Sequence, residues 1–216
     1  LPDGSEIRLT IARYFTPSGR SIQTPYNEGF DKYFEKFYSR YFNGELIHAD
    51  SLGLPDSLKA YTIPNKRVVY GGGGITPDVF IPIDTTYYSD YYRDMIRTST
   101  ITNFVVAYTD RNRKELLKKY KDVQQFDRSF SFGNETLDEL KQAGEKSGVK
   151  FDEGQYDTSY PEIVKVMKGL VARDLWDMNE YYMVVNRDDE AILKALSIIN
   201  DSDFYNSLLG NNKAGR

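Results

Sequence analysis

Two hydrophobic periods run along this chain and change over near residue 84. Ile7, Leu9 and Ile11 alternate with Arg8, Thr10 and Ala12, the period of two expected of a half-buried strand. Leu1-Pro2-Asp3-Gly4 ahead of them is turn chemistry, because Pro presets φ and Asp-Gly accepts a tight reversal. A turn feeding a strand normally has a second strand on its far side. Ile7 to Tyr14 is therefore expected to be one arm of a hairpin, and the chain, without an initiator Met or signal peptide, reads as an excised C-terminal fragment. After the Pro17-Ser18-Gly19 turn, Phe30, Tyr33/Phe34, Phe37 and Tyr41 share a stripe opposite Asp31, Lys32, Glu35 and Lys36. That spacing predicts a helix over Asn27 to Tyr41, stopped by Asn43-Gly44. Asp50 to Pro64 is turn-rich, Arg67 to Tyr70 is β-prone, and Val79 to Ile83 reads as an edge strand because Pro82 cannot donate to a ladder.

From Thr85 the period is helical. Helices are expected at Tyr87 to Arg97, Thr100 to Tyr108, Arg111 to Tyr120, Thr136 to Lys146 and Asp188 to Ile199. Thr136 with Glu139 has capping-box spacing, and Gly148 follows as a stop. The clearest helix begins at Ser159-Tyr160-Pro161-Glu162, with Val164, Met167, Val171, Leu175, Met178 and Tyr182 as its stripe. Asn211 to Arg216 is expected to fray. The fold class is α+β: a mixed part over residues 1–84, with an aromatic-rich insertion at 24–67, then a helical extension over residues 85–216.

Composition narrows the function. With 216 residues, 14% aromatic and 28% charged, the chain can bury a core and is not a disordered type. A net charge of −4 argues against nucleic acid as partner, since phosphate binding wants a basic face. No run is long and apolar enough for a membrane span. Zero Cys excludes disulfides and thiolate metal sites, and no cofactor or metal is expected.

The candidate chemistry mostly reduces to structure. Gly71 to Gly74 is followed by Ile-Thr-Pro-Asp instead of a helix start, so a tight backbone approach is preferred over a phosphate cradle. His48, the single His, lies in His48-Ala49-Asp50 with no nucleophile elbow in the chain. Asp188-Asp189-Glu190 and Asp201-Ser202-Asp203 lack calcium-loop spacing and read as helix-start charge. Ser18 reads as a turn hydroxyl. The tyrosines at 87, 88, 91, 92, 181 and 182 stand at helical spacing and read mainly as packing.

Leu1 to Gln23, with its D-G-S turn, T-I-A-R-Y strand and T-P-S-G-R-S-I-Q run, resembles the segment after the catalytic lysine strand in C-terminal processing (tail-specific) serine proteases. Gly74-Ile75-Thr76-Pro77-Asp78-Val79 resembles the same family's G-I-x-P-D-V/I element, in the same order along the chain. The matching stretches cover roughly a fifth of the sequence. Thr24 to Arg67 and the 132 residues beyond Asp84 depart from the family's common pattern. The resemblance implies a crotonase-like α/β protease domain and polypeptide substrates. It also implies an exported or periplasmic parent whose Ser nucleophile and Lys base lie upstream, so the fragment itself has no catalytic residues. Arg13 and Arg20 would then line a peptide groove. A homodimer through the truncated strand is also expected. The alternative is a non-catalytic aromatic-rich binding or assembly module.

Overall fold

A computed structural model describes residues 2, 4–7, 9, 11–24, 26–48, 54–63, 65–72 and 74–210. These are mostly helical, at 57%, with a sheet of two strands, so the α+β expectation holds in this coarse form. The chain divides into two compact units, residues 1–83 with 194–216 and residues 84–193.

In the first unit, α1 (Phe30–Phe42) starts at Gly29 and stops where sequence placed the stop, with Asn43 N–H on the Ser39 carbonyl at 2.8 Å and Gly44 at φ +79°. β1 (Lys59–Tyr61) and β2 (Val68–Tyr70) pair antiparallel with Ala60 opposite Val69. β1 lay inside the stretch read only as turns. Neither of the other two expected strands forms among the described residues. The described residues of Ile7 to Tyr14 are outside any strand, and the nearest pairing is an isolated bridge between Phe15 and Ser21. Val79 to Ile83 is also irregular, with Ile83 N–H on the Leu46 carbonyl at 3.0 Å. Alternation supplies a face but no ladder partner, and a strand needs both. Val69 is the one buried apolar side chain of this unit among the described residues.

The second unit carries the core. It comprises α2 (Asp90–Arg97), α3 (Thr100–Lys119), α4 (Val123–Ser129), α5 (Asn134–Lys146), α6 (Glu153–Leu175) and α7 (Met178–Val185). α6 is central and packs against α2, α3, α4 and α7. Its buried set, with Ile163, Met167, Leu170, Val171 and Leu175, is wider than one stripe because neighbours cover it on several sides. Two glycines allow the close approaches. A Cβ on Gly144 would stand 2.8 Å from Met95 Sδ, and one on Gly169 would stand 2.7 Å from Val185 Cγ1.

Several boundaries move outward for reasons of capping. Asp152 Oδ1 accepts from Gln155 N at 2.9 Å, so α6 begins two turns before Ser159 and Pro161 lies inside it. Gly133, not Thr136, precedes α5. The expected helices at 100–108 and 111–120 are one, α3. At the other end α6 stops at Trp176, with φ −125° and ψ −90°, and Asp177 caps α7, so Met178 and Tyr182 belong to a separate helix. α8 (Glu190–Asn200) crosses from the second unit's residues into the first's, and α9 (Ser202–Leu208) follows.

Candidate functional site

The cleft of interest in the first unit is enclosed by α1 and the glycine run. It holds about 330 Å³ and is lined by Tyr33, Lys36 and Arg40 of α1, by Asn43 and Glu45 beyond it, and by Gly71, Gly72, Gly74 and Thr76 opposite. Its charges are paired: Lys36 with Glu28 at 2.9 Å and Arg40 with Glu45 at 2.8 Å. Of the described glycines, Gly71 and Gly72 serve packing, whereas a Cβ on Gly74 would meet nothing within 4 Å. Gly72 has φ +97°, and a Cβ there would lie 2.6 Å from Leu58 Cδ1. No helix begins after them, so backbone amides are not gathered toward an anion.

The segment Tyr14 to Ile22 folds into a compact reversal beside this cleft's glycine wall. Thr16 N–H donates to the Arg20 carbonyl at 2.9 Å and Gly19 N–H to the Thr16 carbonyl at 2.8 Å, with Gly19 at φ +80°. Ser18 Oγ stands 2.9 Å from Thr16 Oγ1 and accepts from Arg20 Nε at 3.0 Å. That is a turn hydroxyl, whose side-chain partners among the described residues are Thr16 and the guanidinium of Arg20. Arg20 Nη1 reaches the Tyr70 carbonyl at 3.3 Å, and its Cγ would lie 3.3 Å from a Cβ on Gly71. Arg20 thus ties the reversal to the end of β2. Arg13 is exposed and lines a different, shallow cleft with Leu9, Ile11, Gln23, Thr24 and Tyr26. The two arginines are not brought together in one groove.

His48 is exposed, its N–H on the Gly44 carbonyl at 2.8 Å; Ala49 and Asp50 lie outside the described residues. Asp189 Oδ1 accepts from Ile192 N at 2.9 Å and Asp201 Oδ1 from Phe204 N at 3.0 Å, so both act at helix starts. Among the described residues no group of three or more metal-ligating side chains converges, and no helix is long and apolar enough to cross a membrane.

In the second unit Ser89, Gln155 and Ser159 tie the start of α2 to α6. Ser159 Oγ donates to the Tyr87 carbonyl at 2.6 Å and meets Ser89 Oγ at 2.7 Å, while Ser89 accepts from Tyr92 N at 3.2 Å. Gln155 Oε1 accepts from Tyr91 N at 2.7 Å. The free N–H groups of Tyr91 and Tyr92 at the start of α2 are thereby satisfied by α6 and the cap. Asp127 gathers Arg187 at 2.7 Å and Lys168 at 3.0 Å, and burial raises the Tyr91 and Tyr156 phenols to about 12. Tyr91 and Tyr92 are core residues, whereas Tyr88 and Tyr182 are exposed.

A family of unknown function (DUF8443) matches residues 91–177. The match covers α2 through α6 and contains none of the residues that resemble the proteases. No curated protein and no solved structure matches the chain.

Proposed function

We propose that this chain is the C-terminal region of a serine endopeptidase of the C-terminal processing type. Its first unit would belong to a crotonase-like domain, and its helices would extend that domain. In this reading the parent hydrolyses polypeptides by acyl transfer. A Ser attacks the peptide carbonyl, a neutral Lys takes the Ser proton, and backbone amides hold the oxyanion. Both residues would lie outside these 216 residues, leaving the chain itself without activity.

The observation that carries the reading is that the first resembling segment is tied to the strand leading into the second. The two segments are about fifty residues apart, yet the Thr16 to Ser21 reversal hooks onto the strand that leads into Gly74 to Val79, through Arg20 and the Tyr70 carbonyl. Serine-reactive fluorophosphonate labelling tests it. The full-length gene product should label at one Ser outside this sequence, and the 216-residue chain should not label at all. Specific labelling of a Ser within the chain, lost on mutating that Ser, would overturn the proposal, as would an unreactive full-length protein.

Ile7, Leu9 and Ile11 are 77%, 76% and 90% exposed. Exposed apolar side chains in such a run favour burial against another chain, so self-association through Glu6 to Tyr14 belongs to the same proposal. The alternative, an aromatic-rich binding module, is favoured by one observation, and that observation lies in the helical unit.

A further inference from the structure

A groove of about 430 Å³ lies between α5 and the first turns of α6. All of it falls within residues 91–177, the part that the family of unknown function matches. α5 contributes Asn134, Leu137, Asp138 and Lys141, and α6 contributes Tyr156, Asp157 and Tyr160. Leu137 and Tyr156 are buried and form the floor.

One half of this groove already holds a cation. Lys141 Nζ stands 4.8 Å from the Tyr156 ring centroid and 5.5 Å from that of Phe151, and it pairs with Asp138 at 3.1 Å. The ring face and the carboxylate both attract the ammonium. The other half also carries an aromatic ring and a carboxylate, here from one helix. Tyr160 and Asp157 are three residues apart on α6, so their side chains are neighbours. The Tyr160 ring leans on Tyr156 with centroids 5.7 Å apart and is 39% exposed. The Asp157 carboxylate has no side-chain hydrogen bond or ion pair among the described residues. The cap and first two turns of α6 carry Asp152, Glu153 and Asp157 and no basic residue.

We propose that the Tyr160–Asp157 half of this groove receives a second cation, an arginine or lysine side chain presented by a polypeptide partner. The argument is charge complementarity: an exposed ring and a carboxylate on one helix, beside the half that Lys141 occupies, with no cation among the described residues seated there. A planar guanidinium would stack on Tyr160 while donating to Asp157. The inference is independent of the protease proposal, because it uses only the helical unit.

Titration of the 15N- and 13C-labelled 216-residue chain with the peptide acetyl-Gly-Gly-Arg-Gly-Gly-amide, followed by NMR, tests it. The Tyr160 ring and Asp157 signals should shift and saturate. Replacing the Arg by neutral citrulline, or introducing Asp157→Asn, should weaken binding by about threefold or more. Asp157 is exposed, so the variant keeps its fold, which circular dichroism verifies. Absence of shifts, equal binding of the citrulline peptide, or unchanged binding by the Asp157→Asn variant would each overturn the proposal. Saturable shifts from a neutral oligosaccharide such as maltopentaose without any from the arginine peptide would overturn it in favour of a glycan site.

Discussion

Tyr91 shows how a side chain can be held firmly and still carry a liability. Its ring is buried between Phe151 and Tyr156, with centroids 5.8 Å and 6.0 Å away, yet its hydroxyl has no hydrogen-bond partner among the described residues. A buried hydroxyl without a partner costs about 1–3 kcal/mol relative to a satisfied one. Tyr91→Phe is therefore expected to stabilise the protein by roughly 1 kcal/mol, read as a higher urea midpoint at unchanged slope. The same burial sets an alkaline limit. Tyr91 and Tyr156 are raised to about 12, against about 10 in an unfolded chain. The unfolded state then loses those protons first, so this contribution is complete below about pH 10 and is lost as pH rises toward about 12. Urea midpoints should fall across that window and change less below it, and in Tyr91→Phe the fall should be shallower. At this scale the sequence was informative about type and poor about partner. Ser18 was legible as a turn hydroxyl from Pro17 and Gly19 on either side of it. The hold of Arg20 on Tyr70 was not, because fifty intervening residues leave no local signal.

Elements were legible where the helical period was long and obscure where a cap fixed the start. The stripe Met167, Val171, Leu175 placed α6 correctly, but its first two turns rest on Asp152, and Tyr160-Pro161 looked like a beginning. Pro161 lies inside the helix, beyond the turns that the Asp152 cap and Gln155 anchor. α4 and α9 were missed; seven residues each give too short a window for periodicity. β1 was missed because three residues cannot display alternation. Gly169 supplies an element-scale test. In an open helix Gly→Ala would gain up to about 1 kcal/mol from backbone entropy. Here the new Cβ would meet Val185 and Tyr181 of the α7 region at 2.7 Å and 3.1 Å, so overpacking outweighs the gain. Gly169→Ala should destabilise by about 1–2 kcal/mol, and a thermal midpoint above that of the parent would show that α7 can move aside freely.

For the whole molecule, the division of labour between units is the property to measure. The buried apolar side chains lie in residues 84–193, with Val69 the exception among the described residues. Leu175→Asp would bury a charge in that core and should cost several kcal/mol. Hydrogen exchange read by mass spectrometry should then show α2 to α7 losing protection while the β1–β2 peptides keep theirs. Loss of both together would mean a single cooperative core. The first unit should reveal its exposed apolar run in solution: light scattering after size exclusion should report a dimer, and Ile11→Lys should return it to monomer. A monomer with Ile7, Leu9 and Ile11 strongly protected would contradict association through that segment. The change of period near residue 84 was legible in the sequence, and the grouping of residues 194–216 with residues 1–83 was not. What each part packs against was not legible either, because amphipathic faces declare that they need a partner without naming it.

The break that ends α6 has a practical corollary. It seats Trp176, the chain's single tryptophan, edge-on against Phe126 at 5.6 Å. Excitation at the red edge of the indole band therefore gives an optical signal from one site at the junction of α4, α6 and α7. With eighteen tyrosines spread along the chain, phenol emission averages over everything, whereas this one fluorophore acts as a private reporter. Kinetic traces of its emission would time the assembly of the helices alone, without labels or engineered probes.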